Sequence, residues 1–114
     1  MPIQLNDIEA LQDYTIGVMA RAEHHAKQVR AIILAMLGGI IWRVDPGSIE
    51  IRYHDGDLAN ALCWNSVSGG KYACAYDHSA GAMEIRDRSG RGSALHSFTN
   101  ATPVEEVERV FSTL

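Results

Sequence analysis

Five groups of residues have types and spacings that can do chemistry. His54-Asp55-Gly56-Asp57 puts an imidazole and two carboxylates within four residues. Such nitrogen and oxygen ligands can hold a divalent cation or share acid–base work. Asp-Gly is also a favoured hairpin turn, and that reading accounts for the polarity without any site. Cys63, Asp77 and His78 offer a thiol, an imidazole and an acid. A cysteine becomes a nucleophile when a histidine lies within hydrogen-bond reach. No strand-to-helix elbow follows Cys63 to lower its pKa, so two small buried thiols at 63 and 74 are the simpler reading. His24-His25 sits within a helical pattern without a histidine partner four residues away, so it reads as a solvated face.

Arg86-Asp87-Arg88-Ser89-Gly90-Arg91-Gly92 is the one locally basic stretch. Backbone N–H groups and guanidinium forks in such a loop can take a phosphate. It lacks the lysine and spacing of a Walker loop, and a solvated hairpin explains it equally simply. The fifth group is aromatic: Trp64, Tyr72 and Tyr76, with Trp42 and Tyr53 nearby. Aromatics with polar tips suit the floor of a ligand pocket, although at this spacing they also make ordinary core.

The elements that must position these groups follow from periodicity. Asn6 and Glu9 form a capping box. Apolar residues then recur at Ile8, Leu11, Val18, Ala22, Ala26, Val29, Ile33 and Met36, in steps of three, four and seven. This predicts a long helical stretch over 6–37, about 48 Å if straight and continuous; that is longer than a domain of this size needs to cover one face of a sheet, so the helix is expected either to break or to project. Gly38 is placed to end it, and Gly17 to bend it. From Ala31 to Leu37 the helix has no polar side, so it must be buried all round.

After Gly39 the period becomes two. Strands are expected at 40–44, 49–54, 58–65, 71–77, 82–88 and 94–98, with short turns between them, hence an antiparallel meander. Alternation sorts Ile49, Ile51, Tyr53, Leu62, Trp64, Tyr72, Cys74, Tyr76, Met83 and Ile85 onto one apolar face. It pairs Leu62 with Cys74 and keeps the two sulfurs apart. Thr102, Pro103 and Glu105 then start a C-terminal helix whose apolar stripe is Val104, Val107, Val110 and Phe111. The expected fold is a single α+β domain over 1–114: long N-terminal helix, five to six antiparallel strands, short C-terminal helix, two layers. A cone-shaped NTF2-like fold is the nearest rival, and the helical end counts against it.

The run from Gly38 to Arg52, Gly-Gly-Ile-Ile-Trp-Arg-Val-Asp-Pro-Gly-Ser-Ile-Glu-Ile-Arg, leads into the sheet. With the order of elements, it resembles the small proteins encoded on bacterial integron gene cassettes. The resemblance implies a bacterial cytoplasmic protein that often assembles with itself, and it transfers no functional residue.

Composition bounds the function. The 114 residues are 46% hydrophobic and 21% charged, with a net charge of −4. This opposes general affinity for nucleic acid or anionic membrane. The apolar run 31–42 is too short to span a bilayer, and the start shows no secretory pattern, so a cytoplasmic protein with reduced thiols is expected. No cofactor and no metal are expected.

The first functional expectation is a non-enzymatic small-ligand-binding or adaptor module acting as a homo-oligomer, a homodimer or higher. Trp64, Tyr72 and Tyr76 would line its pocket, with Arg52, His54 and Arg86 at the mouth. Ile32, Leu34 and Met36 would form the contact with the second subunit. The alternatives are an oligomeric module that binds another macromolecule, and a small hydrolase or isomerase using His54/Asp55/Asp57 or Cys63/His78.

Overall fold

The computed structural model describes the backbone of residues 9–45, 48, 50–54, 57–89 and 91–114, and their side chains except at 9–11, 24–25, 50–54 and 57–66. The element order is α1 (Glu9–His25), a 3-10 turn (Lys27–Val29), α2 (Arg30–Arg43), β1 (Glu50–His54), β2 (Asp57–Val67), β3 (Gly70–Asp77), β4 (Ala82–Asp87), β5 (Ala94–Phe98) and α3 (Val104–Thr113). The class is α+β. The sheet runs in chain order, β1-β2-β3-β4-β5, and its paired neighbours are antiparallel.

The long helix is not one helix. Ala26 leaves helical geometry (φ −151°, ψ 50°), and one 3-10 turn redirects the chain into α2. A straight helix of about 48 Å would overrun strands of about 26 Å, so the break lets both halves cover the same sheet. Gly17 lies within α1 and does not interrupt it.

The break is held from far along the chain. The residue at the N-cap of α2, Val29, has no side chain able to cap. Asn100 supplies the missing oxygen: Oδ1 accepts from the Ile32 N–H at 3.1 Å, and Nδ2 donates to the Lys27 carbonyl at 3.3 Å. Ile32 is the third helical residue, the position an ordinary N-cap oxygen serves. Glu23 also bridges the break, pairing with Arg30 at 2.9 Å and Lys27 at 3.8 Å. These groups are about half exposed or more, so the pairs contribute little.

Nor does the helix end at Gly38. α2 runs through both glycines to Arg43, so the strand expected at 40–44 is helical instead. The two glycines have different surroundings. A Cβ on Gly39 would lie 2.6–2.9 Å from ring atoms of Phe111, so glycine there lets α3 press its phenyl ring against the α2 backbone. A Cβ on Gly38 would meet nothing within 4 Å.

One core joins the helices to one face of the sheet. It contains Tyr14, Val18, Ala22 and Ala26 from α1 and its end, and Val29, Ile32, Ile33, Met36, Leu37 and Ile40 around α2. Cys74, Met83, Ile85 and Phe98 come from the sheet, and Val107, Val110 and Phe111 from α3. α3 begins one residue later than expected, with Pro103 at the N-cap. Thr102 does not cap it; its hydroxyl accepts from the Thr99 N–H at 2.9 Å.

The β2–β3 turn sets the register. Ser68 (φ 51°) and Gly69 (φ 82°) form a two-residue connection, and the Asp45 carboxylate accepts from both of their N–H groups at 3.3 and 3.2 Å. Val67 therefore faces Gly70, and counting back pairs Trp64 with Ala73 and Cys63 with Cys74. The expected pairing of Leu62 with Cys74 is one residue out of register. Such a slip moves every side-chain position of the strand to the other face.

Candidate functional site

The register divides the expected aromatic pocket. Tyr72, Cys74 and Tyr76 alternate onto the helix-covered face, where both tyrosines pack against the core. Position 64 pairs with Ala73 and so belongs to the opposite face. The side chains of Trp64, Arg52 and His54 lie outside the described residues. The Tyr76 hydroxyl accepts from Gln28 Nε2, and its ring meets His78 edge-on, centroids 4.7 Å apart at 81°. Among the described residues, a void of about 20 Å³ lies between the helices and the sheet, lined by Tyr14, Val18, Ile33, Met36, Leu37, Ile40, Cys74 and Met83. A drug-sized ligand needs at least about 300 Å³.

Arg86 stands on the open face of the sheet, paired with Glu84 on the same strand. The Arg86 Nη2 and Nε donate to one Glu84 oxygen at 2.8 and 2.9 Å. The two side chains are only 22% and 13% exposed, and both lie beside the buried Ala73 and Ala75. This guanidinium holds the sheet face rather than standing at a pocket mouth.

The other groups also resolve. Cys63 sits opposite Cys74, whereas His78 is four residues beyond Cys74, in the turn after β3. That is about 13 Å along a strand, so the two positions are too far apart for a cysteine–histidine pair. In the arginine loop, the N–H groups of Arg88, Ser89, Arg91 and Gly92 donate to Lys71 O, Asp87 O, Ser89 Oγ and Ser89 O at 2.8–3.2 Å. The backbone donors a phosphate needs are already taken. His54 and Asp57 pair at the closing end of the β1–β2 hairpin, as turn chemistry expects, while Asp55 lies outside the described residues. Among the described residues, no cluster of three metal-ligating side chains occurs, and no helix is long and apolar enough to cross a membrane.

The expected subunit contact divides as well. Ile32 and Met36 are 3% and 2% exposed, buried in this chain's own core, and cannot meet a partner. Leu34 is 57% exposed. An open groove of about 450 Å³ lies between α2 and α3, on the side of 31–37 that the sequence left in need of a cover. Ala35, Gly38, Gly39 and Trp42 line one wall, and Val104, Val107, Glu108 and Phe111 the other. Trp42 and Val104 are 57% and 61% exposed, and Ile41 next to them is 55% exposed. Val104, expected in the core, is on the surface. Reading Gly38-Gly39 as a helix stop hid the groove. The signal that pointed toward it was the absence of any polar side on 31–37, which demands a second cover.

The helix positions in this groove come from the residues that distinguish the run at 38–42. A family model described as integron cassette protein VCH_CASS1 chain matches residues 11–108, from the first turns of α1 to the middle of α3. The chain belongs to this family. The resemblance noted from the layout is thereby borne out, and the matched span takes in all five strands and the α2 wall of the groove. No curated protein matches the chain.

On α3, away from the groove, Arg109 pairs with Glu106 through Nε at 3.0 Å and through Nη2. The hydrogen bond from Arg109 holds the Glu106 carboxyl below the ordinary glutamate range; desolvation opposes this, and the charges of Arg109 and His96 add to the lowering.

Proposed function

We propose that this cassette protein is a non-enzymatic recognition module that acts as a homo-oligomer in the cytoplasm, with the α2–α3 groove as its working surface. One observation carries the reading. Trp42 and Val104 line the open α2–α3 groove and are each more than half exposed, and Leu34 and Ile41, exposed to a similar degree, lie on the same helix next in sequence to the groove residues Ala35 and Trp42. Contiguous apolar surface of this kind marks a binding site. Glu108 is the one ionisable residue in the groove lining, so recognition there rests on apolar contact. Two of the polar residues first expected to do chemistry are engaged within the fold: Tyr76 with Gln28, Arg86 with Glu84.

The test is a Trp42→Lys variant measured by sedimentation and by titration with an apolar fluorescent probe. The wild-type chain is expected to self-associate or to take up the probe, and Trp42→Lys to lose whichever of the two it does. Tyr76→Phe and Arg86→Gln should leave it unchanged. A wild-type chain that neither associates nor binds the probe would remove the reading.

A further inference from the structure

α2 has two apolar faces. The first enters the core through Ile33, Met36, Leu37 and Ile40. The second carries Ala31, Leu34, Ala35, Gly38, Ile41 and Trp42, with no charged residue among them. Their spacing of three and four is that of a seam between two helices. The wall of α3 flanks this seam on one side.

Two features select what lies there. The first is symmetry about Gly38. Leu34 and Trp42 each lie four residues from it, and Ala35 and Ile41 each lie three. An antiparallel copy of the same helix crossing at Gly38 sets Leu34 of one copy against Trp42 of the other, and Ala35 against Ile41. Each contact then occurs twice, the self-complementarity that a two-fold interface requires. The second is Gly38 itself. Its missing side chain has open space around it, unlike that of Gly39, so the chain's own packing gives no reason for glycine. Glycine inside a helix is unfavourable against alanine. Its use is to let another backbone come close.

The surface is also of the right size. Leu34, Ile41, Trp42 and Val104 together offer roughly 400 Å² of apolar area, at about 100 Å² for each aliphatic side chain and somewhat more for the indole. A stable dimer buries about 800 Å² per partner, an apolar centre within a polar rim.

We infer that a second copy of this chain occupies the groove, its α2 crossing the first antiparallel at Gly38 to form a two-fold dimer. This rests on the groove being the recognition surface. It names the occupant.

Sedimentation equilibrium from 5 to 200 μM tests it on the full chain. Wild type is expected to be dimeric at the upper end. Gly38→Leu should weaken association at least tenfold while retaining the far-UV circular dichroism of the folded chain, because the added side chain has room in the monomer. Under mild oxidation, mixed Leu34→Cys and Trp42→Cys chains should give a bond between positions 34 and 42, identified by peptide mapping. A dimer unaffected by Gly38→Leu would overturn the inference, as would cross-linking of 34 to 34 in place of 34 to 42. A wild-type monomer at 200 μM that binds the apolar probe through Trp42 would overturn it and leave the recognition surface standing. A monomer that binds no probe would overturn both.

Discussion

Replacing Asn100 by Ala tests how the fold makes its first turn. Asn100 is 68 residues from Ile32, and it does the work of an N-cap for α2. Alanine removes the oxygen that accepts from Ile32 N–H. Loss of a capping side chain costs about 1 kcal/mol, within a range of 0.5–2. The Lys27 carbonyl also loses a donor at an exposed position, adding about 0.5 kcal/mol. The sum is about 1.5 kcal/mol. For a chain of this length that is a fall in Tm of roughly 4–8 °C. Thermal unfolding followed by circular dichroism at fixed protein concentration reads it directly. Asn100→Asp separates the two contacts. The carboxylate still accepts from Ile32 N–H and gains from the helix dipole, but it cannot donate to Lys27 O. It should therefore fall between wild type and Asn100→Ala. A shift under about 1 °C for Asn100→Ala would refute the remote cap. An aspartate as destabilising as alanine would show that donation to Lys27 carries the effect.

Three further outcomes follow from the same packing. Gly39→Ala should destabilise by about 1–3 kcal/mol in urea titration despite the better helix former, because its Cβ would overlap the buried Phe111 ring. Glu84→Ala should lower the urea midpoint by an amount equivalent to about 1–3 kcal/mol, since it strips a largely buried guanidinium of its hydrogen-bonded carboxylate. Glu106 has a lowered folded pKa, so its contribution is fully present above the unfolded value near 4.3 and is lost as pH falls through the lower folded value. Glu106→Gln should flatten the acid limb of the stability–pH curve there and leave neutral pH less affected by salt; an unchanged acid limb would show that Arg109 does not hold the carboxylate in solution.

The core was legible because helical spacing reports burial directly. Val18, Ala22, Ala26, Val29, Ile33 and Met36 were expected on one stripe, and all six are buried. Met83 and Ile85 share the helix-covered face with Tyr72, Cys74 and Tyr76, as alternation placed them. Strand β2 was misread because its largest apolar residues, Leu62 and Trp64, suggested the inner face. Turn length decides register more strongly than side-chain size, and the Ser68-Gly69 connection, with both N–H groups held by Asp45, is two residues long. The length of the helical pattern pointed to a break or a projection, but the place of the break was not legible. Ala26 and Val29 carry no local signal to stop, and the side chain that holds the turn comes from Asn100. Polar tips also drew attention to Tyr76 and Arg86, yet Tyr76 accepts from Gln28 and Arg86 donates to Glu84.

Adjacent glycines in one helix show why local rules gave the wrong ending. Helix propensity treats Gly38 and Gly39 alike, as two weak points fit for a stop. Adjacent helical positions point about 100° apart, so the pair faces two different neighbours. Gly39 faces α3, where the Phe111 ring fills the space of the missing Cβ. The contact joins the last helix to the first half of the chain and offsets the cost of glycine. Gly38 faces outward at the centre of an apolar strip and has no such compensation within the chain. The different effects expected of Gly39→Ala on folding and of Gly38→Leu on association are thus one argument: each glycine marks a helix surface approached by another element, and only one of those elements belongs to the same chain.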